Sequence, residues 1–313
     1  MKKALICGSY AFDSIMTFHD RFKNHILPDK VHILNVSFLV PNMRKEFGGC
    51  AGNITYNLNL LGANAIPMAT VGEDFVPYKN WLDKCGIDYS YIKVIENTYT
   101  GQAFITTDLD DNQITAFHPG AMNESHKNKV SVVNDIAIGI VSPDGKDGML
   151  EHARDFYNMN VPFIFDPGQG MPMFSSDELK NFIKQASWIA LNDYESQMLV
   201  DKIGLSITEI ANEVKALIIT KGKEGSEIYV NNEIIKIIST KAYETLDPTG
   251  CGDAYRAGLI FGIMNNLDWK STGQLASVLG AIKVAYLGTQ NHSFDIETII
   301  KTYKQQYGED LKV

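Results

Sequence analysis

Asp253 closes the run Gly250-Cys251-Gly252-Asp253, in which two glycines bracket one small residue and a carboxylate follows at once. Beyond it Ala254, Ala257, Gly258 and Phe261 recur at helical spacing, so the glycines lie at the amino end of a helix. The first turn of a helix has unpaired N–H groups and a partial positive charge, and it binds anions. Glycines there let backbone approach a ligand closely. The N–H groups of Gly250, Cys251 and Gly252 would cradle such an anion. Asp253 beside them would take the proton from an attacking hydroxyl. Anion cradle plus adjacent base is what phosphoryl transfer to an alcohol requires. The plainer alternative is a glycine-rich helix start with Asp253 as a cap.

A second glycine pair opens another helix. In Gly48-Gly49-Cys50-Ala51-Gly52-Asn53, the residues Ala51, Ile54, Leu58 and Leu61 share one face, and Gly62 is the stop. Together the two motifs resemble the signatures of the ribokinase-like (PfkB) carbohydrate kinase family. The family's Gly-Gly-x-x-x-Asn is Gly48, Gly49 and Asn53 here, and its Gly-x-Gly-Asp is Gly250, Gly252 and Asp253. The one departure is Cys251, a small residue where the family most often has Ala. The resemblance spans nearly the whole chain and implies an ATP-dependent kinase in which Asp13, Gly48, Gly49 and Asn53 hold the acceptor.

Further segments match the same family. Asn192-Asp193-Tyr194-Glu195 fits its Asn-x-x-Glu motif. An amide and a carboxylate at a strand end can hold a hydrated Mg2+ against phosphate, with Glu195 acting through water. The alternative is an Asn helix cap with a first-turn Glu. Thr220, Gly222 and Gly225 fit a Thr-x-Gly-x-x-Gly segment expected at the nucleotide, where Lys221 or Lys223 would meet a phosphate or remain solvated turn lysines. The loop through Asn291 and His292 is expected to border the adenine of ATP. The resemblance also implies that Asp247 and Thr249, with carbonyls from that loop, bind a monovalent cation such as K+, the alternative being a simple loop cap at Asp247.

The acceptor is read from Phe104, Phe117 and Gln169. Two rings on neighbouring strands would sandwich a purine, and the Gln169 amide would both donate to and accept from its edge. In these features the chain resembles the bacterial adenosine kinases of the family. The expected reaction is phosphorylation of the 5′-hydroxyl of a nucleoside, adenosine to AMP. A ribokinase- or fructokinase-type sugar kinase is the alternative, and a non-catalytic nucleoside or sugar sensor on the same scaffold is the rival from another class. The two Phe could equally be a small core of their own.

The positioning elements follow from pattern. Strands are expected at 4–8, 66–71, 135–141, 162–165, 187–191 and 216–220. Helices are expected at 51–61, 78–84, 148–158, 177–185, 194–200, 207–214, 253–264, 273–286 and 296–307. Their alternation predicts an α/β fold, a doubly wound, mostly parallel sheet with ligands beyond the carboxyl ends of the strands. Asn231-Asn232 reads as a hairpin turn between 227–230 and 234–238. β-rich stretches at 31–40, 100–107 and 113–117, the last two joined by a turn at 108–112, do not alternate with helices. They fit a small antiparallel lid, as in the ribokinase-like family, with lid segments near 15–46 and 96–118 of a single domain, and Asp13 in a loop. Such a lid would exclude water.

Composition restricts the function classes. At 313 residues and 45% apolar content the chain can bury a large core, and a net charge of −9 argues against a nucleic-acid partner. Cys7, Cys50, Cys85 and Cys251 are scattered, with no metal or disulfide spacing. The apolar run after Lys2-Lys3 breaks at Gly8-Ser9, too short for a signal peptide or a membrane span, so a cytoplasmic protein is expected. There is no Walker loop, and Tyr255 stands where a dinucleotide fingerprint needs its third glycine. A monomer, or a homodimer through the lid, is expected.

Overall fold

The first strand, β1 (Lys3–Cys7), is apolar on both faces: Ala4 and Ile6 pack into one hydrophobic core, Leu5 and Cys7 into another. A strand buried on both sides belongs in a parallel sheet with helices above and below. The structure, a computed structural model, describes residues 3–26, 28–33, 35–110 and 112–312.

After β1 come β2 (Ala11–Thr17), β3 (Asn42–Gly48), α1 (Cys50–Leu60), β4 (Ala65–Val71), α2 (Val76–Cys85), β5 (Tyr91–Val94), β6 (Gly101–Thr107) and β7 (Gln113–His118). The middle of the chain supplies β8 (Ile136–Val141), α3 (Lys146–Asn158), β9 (Phe163–Phe165), α4 (Ser176–Gln185), β10 (Trp188–Asn192), α5 (Asp193–Ile203), α6 (Ile207–Asn212) and β11 (Ala216–Thr220). The hairpin β12 (Ser226–Val230) and β13 (Glu233–Ile237) precedes α7 (Cys251–Met264), α8 (Trp269–Lys283) and α9 (Ile296–Tyr307).

The large sheet runs β13-β12-β11-β10-β9-β8-β1-β4-β5, parallel from β11 to β5, with the hairpin added antiparallel at one edge. Helices α1, α2, α7, α8 and α9 cover one face and α3 to α6 the other. The chain proceeds outward from β1 in one direction and from β8 in the other, so the strand order reverses between them. Ligands bind beyond the carboxyl ends of strands at such a switch point. Local signals set the helix starts: Ser175, Asn192 and Ser206 each close a capping box with Glu178, Glu195 and Glu209. Asn231 and Asn232 both take positive φ, as the tight hairpin turn requires.

A second sheet, β3-β2-β6-β7, is entered from the carboxyl end of β1, where β2 begins after Gly8, Ser9 and Tyr10. It departs from expectation in three ways. It is mixed rather than antiparallel, because β2 pairs β6 in parallel. Asp13 lies within β2, not in a loop. The stretch 31–40 forms no strand among its described residues: 31–33 end a 3-10 turn, 35–40 are irregular, and Leu34 lies outside the description. Phe38 packs instead on Phe18 and Phe22. The charged segment Asn42–Gly48 takes the strand position because its backbone pairs with β2 along its whole length. At the turn of 108–112, the buried Asp108 accepts the N–H groups of Phe22, Asp110 and Asn112, while Asp111 lies outside the described residues.

Candidate active site

Helix α7 begins at Gly250, whose left-handed backbone (φ 79°) turns the chain into the helix. Of the three N–H groups expected to hold an anion, that of Cys251 is already used, donating to Pro248 O at 3.1 Å. The N–H groups of Gly250, Gly252 and Asp253 meet no acceptor among the described residues, so an anion at this helix start would meet Gly252 and Asp253 rather than Cys251. Gly252 is exposed, and a Cβ on it would meet nothing nearer than Arg256 Nη1 at 3.4 Å. Packing therefore does not require glycine there. The open space lies where a ligand would approach the backbone.

Asp253 faces this opening and joins the two glycine motifs. Its Oδ2 accepts the Asn53 side-chain N–H at 2.7 Å. Asn53 Oδ1 in turn accepts from Gln290 Nε2 at 3.1 Å, and Gln290 is held by Tyr78 and Trp81. Tyr78 also donates to Gly48 O at 2.9 Å. Burial pushes the Asp253 carboxyl up to about 7, opposed by the Asn53 bond, with Asp166 raising it further and Arg256 lowering it. A carboxylate tuned to neutral pH is suited to general-base work.

Beneath the cradle, Arg256 makes a two-point ion pair with Asp166, Nε at 3.1 Å and Nη2 at 3.0 Å, both side chains buried. Arg256 Nη2 also lies 3.9 Å from Glu195. The Glu195 carboxyl is raised, first by burial and then by Asp166. Across the opening, Asp13 is pushed up to about 6 by burial and by Glu46 and Asp247. A Cβ on Gly48 would sit 2.5 Å from Asp13 Oδ2, so that glycine admits the carboxylate. Gly49, at φ 89°, packs its Cα against the backbone of Ser9 and Tyr10, where a Cβ would clash.

The remaining expected residues fall at the same end of the sheet in different surroundings. Asn192 and Glu195 form the cap of α5, with Glu195 Oε1 and Oε2 accepting both Asn192 nitrogens. Among the described residues no three His, Cys, Asp or Glu side chains converge on a metal position. Magnesium often keeps its water and binds through one carboxylate and phosphates, and Glu195 fits that outer role. Thr220 ends β11, with its hydroxyl donating to Leu191 O. Gly222 and Gly225, both at positive φ, close the loop, but Lys221 is held by Glu227 at 2.7 Å rather than free for phosphate. Asn291 donates to Glu46 Oε2 and Leu287 O, tying its loop to β3. His292 is fully buried against Asn57 and its pKa falls to about 4 through burial, so it packs locally. Asp247 accepts the N–H groups of Thr249 and Gly288. Gln169 is exposed on the 3-10 turn after β9, two strands away from β11, which Thr220 ends.

The aromatic clamp fails on register. In the β6–β7 pair, Phe117 is opposite Ala103 and Phe104 is opposite Ala116. Directly paired residues share a face, and neighbours along a strand alternate, so the two rings point to opposite sides of the small sheet. Phe117 shares the face of Asp13 and Glu46, whereas Phe104 lies on the other face with Ser14 and Lys45.

Comparison with known proteins is decisive on family: the profile of the pfkB family carbohydrate kinases matches residues 11–296. The chain belongs to this pfkB family. It is a kinase that phosphorylates a hydroxyl acceptor. Among pfkB relatives, the nucleoside kinase of Methanocaldococcus jannaschii is 32% identical over 260 residues, 82% of this chain and 85% of that one. The structure of Burkholderia thailandensis nucleoside kinase with inosine superposes with a TM-score of 0.91 at 48% identity, covering 99% of this chain and 100% of that one. The same protein with ADP-inosine gives 0.88 at 50% identity, covering 99% and 97%.

Three residues of this pfkB site were not anticipated, Asp166, Arg256 and Tyr78, and Gln290, expected in the loop bordering adenine, instead braces Asn53. One signal was available. Arg256 is a lone charge in the apolar run Ala254–Met264, and a charge on a buried helix must be paired. Its partner at the end of β9 is a matter of topology.

Proposed function

We propose that this kinase transfers the γ-phosphoryl of ATP to the 5′-hydroxyl of a purine nucleoside, adenosine among them. The observation that carries the chemistry is Asp253, raised to about 7, at the mouth of an open helix start and held by Asn53 from the other motif. Support for a nucleoside acceptor comes from similarity over most or all of the chain to proteins named nucleoside kinases, one of them solved with inosine. In this reading Asp13 and Asn53 orient the ribose hydroxyls, and Asp253 takes the 5′-hydroxyl proton. The N–H groups of Gly252 and Asp253 receive the charge on the transferred group. Asn192 and Glu195 would hold the magnesium of ATP through water, and that ion, when bound, neutralises phosphate charge. Phe117 supplies one flat surface for the base, and Gln169 an amide that suits either a 6-amino or a 6-oxo edge.

The small sheet also suggests how two copies would meet. Its face away from Asp13 carries Met43, Phe104 and Ile114 exposed, with Met16 beside them. We infer that a second copy of the chain covers this face. No helix among the described residues is long and apolar enough to cross a membrane.

The test is ADP release with adenosine, inosine, ribose and fructose at equal concentration. Nucleosides should win by a large factor in kcat/KM. Preference for ribose or fructose would return the assignment to a sugar kinase, and no turnover with any of them would favour a sensor.

A further inference from the structure

Lys283 is the last residue of α8 and is fully buried. Its Nζ donates to Asp247 O at 2.8 Å and to Tyr286 O at 3.1 Å. A buried ammonium is rarely tolerated without such partners. Here the carbonyl end of a helix and two loop carbonyls supply them. One of these loops, 246–249, leads straight into the cradle of α7. The other, 284–291, carries Gly288, whose N–H binds the Asp247 carboxylate, and Asn291, which reaches Glu46 on β3. Lys283 thus ties the approach to the phosphate cradle to the loop that braces the small sheet.

The same loops were expected, through Asp247 and Thr249, to carry a monovalent cation. Their residues do not fit one. The Asp247 carboxylate already takes two backbone N–H groups and has Arg44 at 3.9 Å. The main-chain oxygens of Asp247 and Tyr286 already hold a positive charge, and a second cation beside it would be repelled.

We propose that Lys283 is a tethered cation: it does the ordering work that a bound monovalent ion would do, and it makes the kinase indifferent to K+. It is a positioning residue, since it touches the loops and not the reacting atoms. The inference rests on the kinase assignment and not on which acceptor is used.

The experiment compares KCl, NaCl and tetramethylammonium chloride at equal ionic strength. For the wild type, kcat and Tm should be the same in all three. Lys283→Ala removes the charge and leaves room for an ion. It should lose roughly 10- to 100-fold in kcat, the scale of a small misplacement at the reacting centre. K+ should restore much of that loss and raise the variant's Tm, while Na+ and tetramethylammonium should not. Lys283→Met fills the space without charge and should lose kcat with no restoration by any ion. Activation or stabilisation of the wild type by K+ would overturn the proposal. So would full kcat in Lys283→Met, or a loss in Lys283→Ala that no cation repairs. If Lys283→Ala does not fold, the wild-type comparison decides. A chain that phosphorylates no nucleoside would refute the acceptor assignment alone, because the Tm comparison needs no substrate.

Discussion

Asn53 and Asp253 are 200 residues apart in sequence, yet the amide of one donates to the carboxylate of the other at 2.7 Å. The contact draws the starts of α1 and α7 together, so the two glycine motifs form one site. It also sets the base: the amide stabilises the carboxylate form that burial opposes.

Removing the base is the most direct test. Asp253→Asn should lower kcat by about 10²–10⁴-fold, the usual worth of general-base catalysis, while ATP and nucleoside binding persist. Turnover near the wild-type value would remove Asp253 from the mechanism.

The pH profile follows from the same residue. Its carboxyl is raised to about 7, and only the ionised form accepts a proton. The kcat/KM should therefore rise through neutral pH and level off above it. Asn53→Ala removes an interaction that lowers this pKa, so the rising limb should move to higher pH. For stability the sign is opposite. A carboxyl raised above its unfolded value favours the folded state most at low pH, and that contribution is lost as pH rises through about 7. A flat kcat/KM between pH 5 and pH 9 would contradict the assignment; these limits are roughly two units either side of neutrality, wide enough to span a single titration.

Gly252→Ala separates ligand approach from folding. The new methyl would meet only Arg256 Nη1 at 3.4 Å, so Tm should hardly change. Where a phosphoryl group must lie against that backbone, kcat should fall by about 10²–10³-fold, the scale of one lost oxyanion donor. Normal kinetics in the folded variant would show that no anion sits there.

The register of the small sheet distinguishes its two phenylalanines. Phe117→Ala should raise the KM for adenosine or inosine and leave that for ATP alone, while Phe104→Ala should change neither. If a second copy covers the Phe104 face, as inferred above, light scattering should show a dimer for the wild type and a monomer for Phe104→Glu. Equal effects of both alanine variants on nucleoside KM would mean that the rings do act together.

Asp166→Ala would leave the Arg256 guanidinium buried without its partner. Breaking such a pair typically costs about 3–5 kcal/mol, so a large fall in denaturation midpoint is expected. A small change would show that water or Glu195 replaces Asp166.

The sequence by itself determined what depends on near neighbours. Helix starts at Ser175, Asn192 and Ser206 lie in capping boxes, and the doubly buried strands read as short apolar runs between turns. The two glycine motifs announced themselves through backbone needs that only a few residue types meet. What only the tertiary structure decided depends on pairing at a distance. The segment Asn42–Gly48 is charged and becomes a strand only because β2 offers it a ladder, whereas the described residues of the apolar stretch before it form no strand. A shift of one residue in a ladder reverses every side chain, so no spacing in sequence could tell that Phe104 and Phe117 face apart. Likewise Lys283 reads as an ordinary basic residue, and Arg256, though marked as a lone charge in an apolar run, does not name its partner. A buried charge must be matched, but the carboxylate or carbonyls that match it come from wherever the fold brings them.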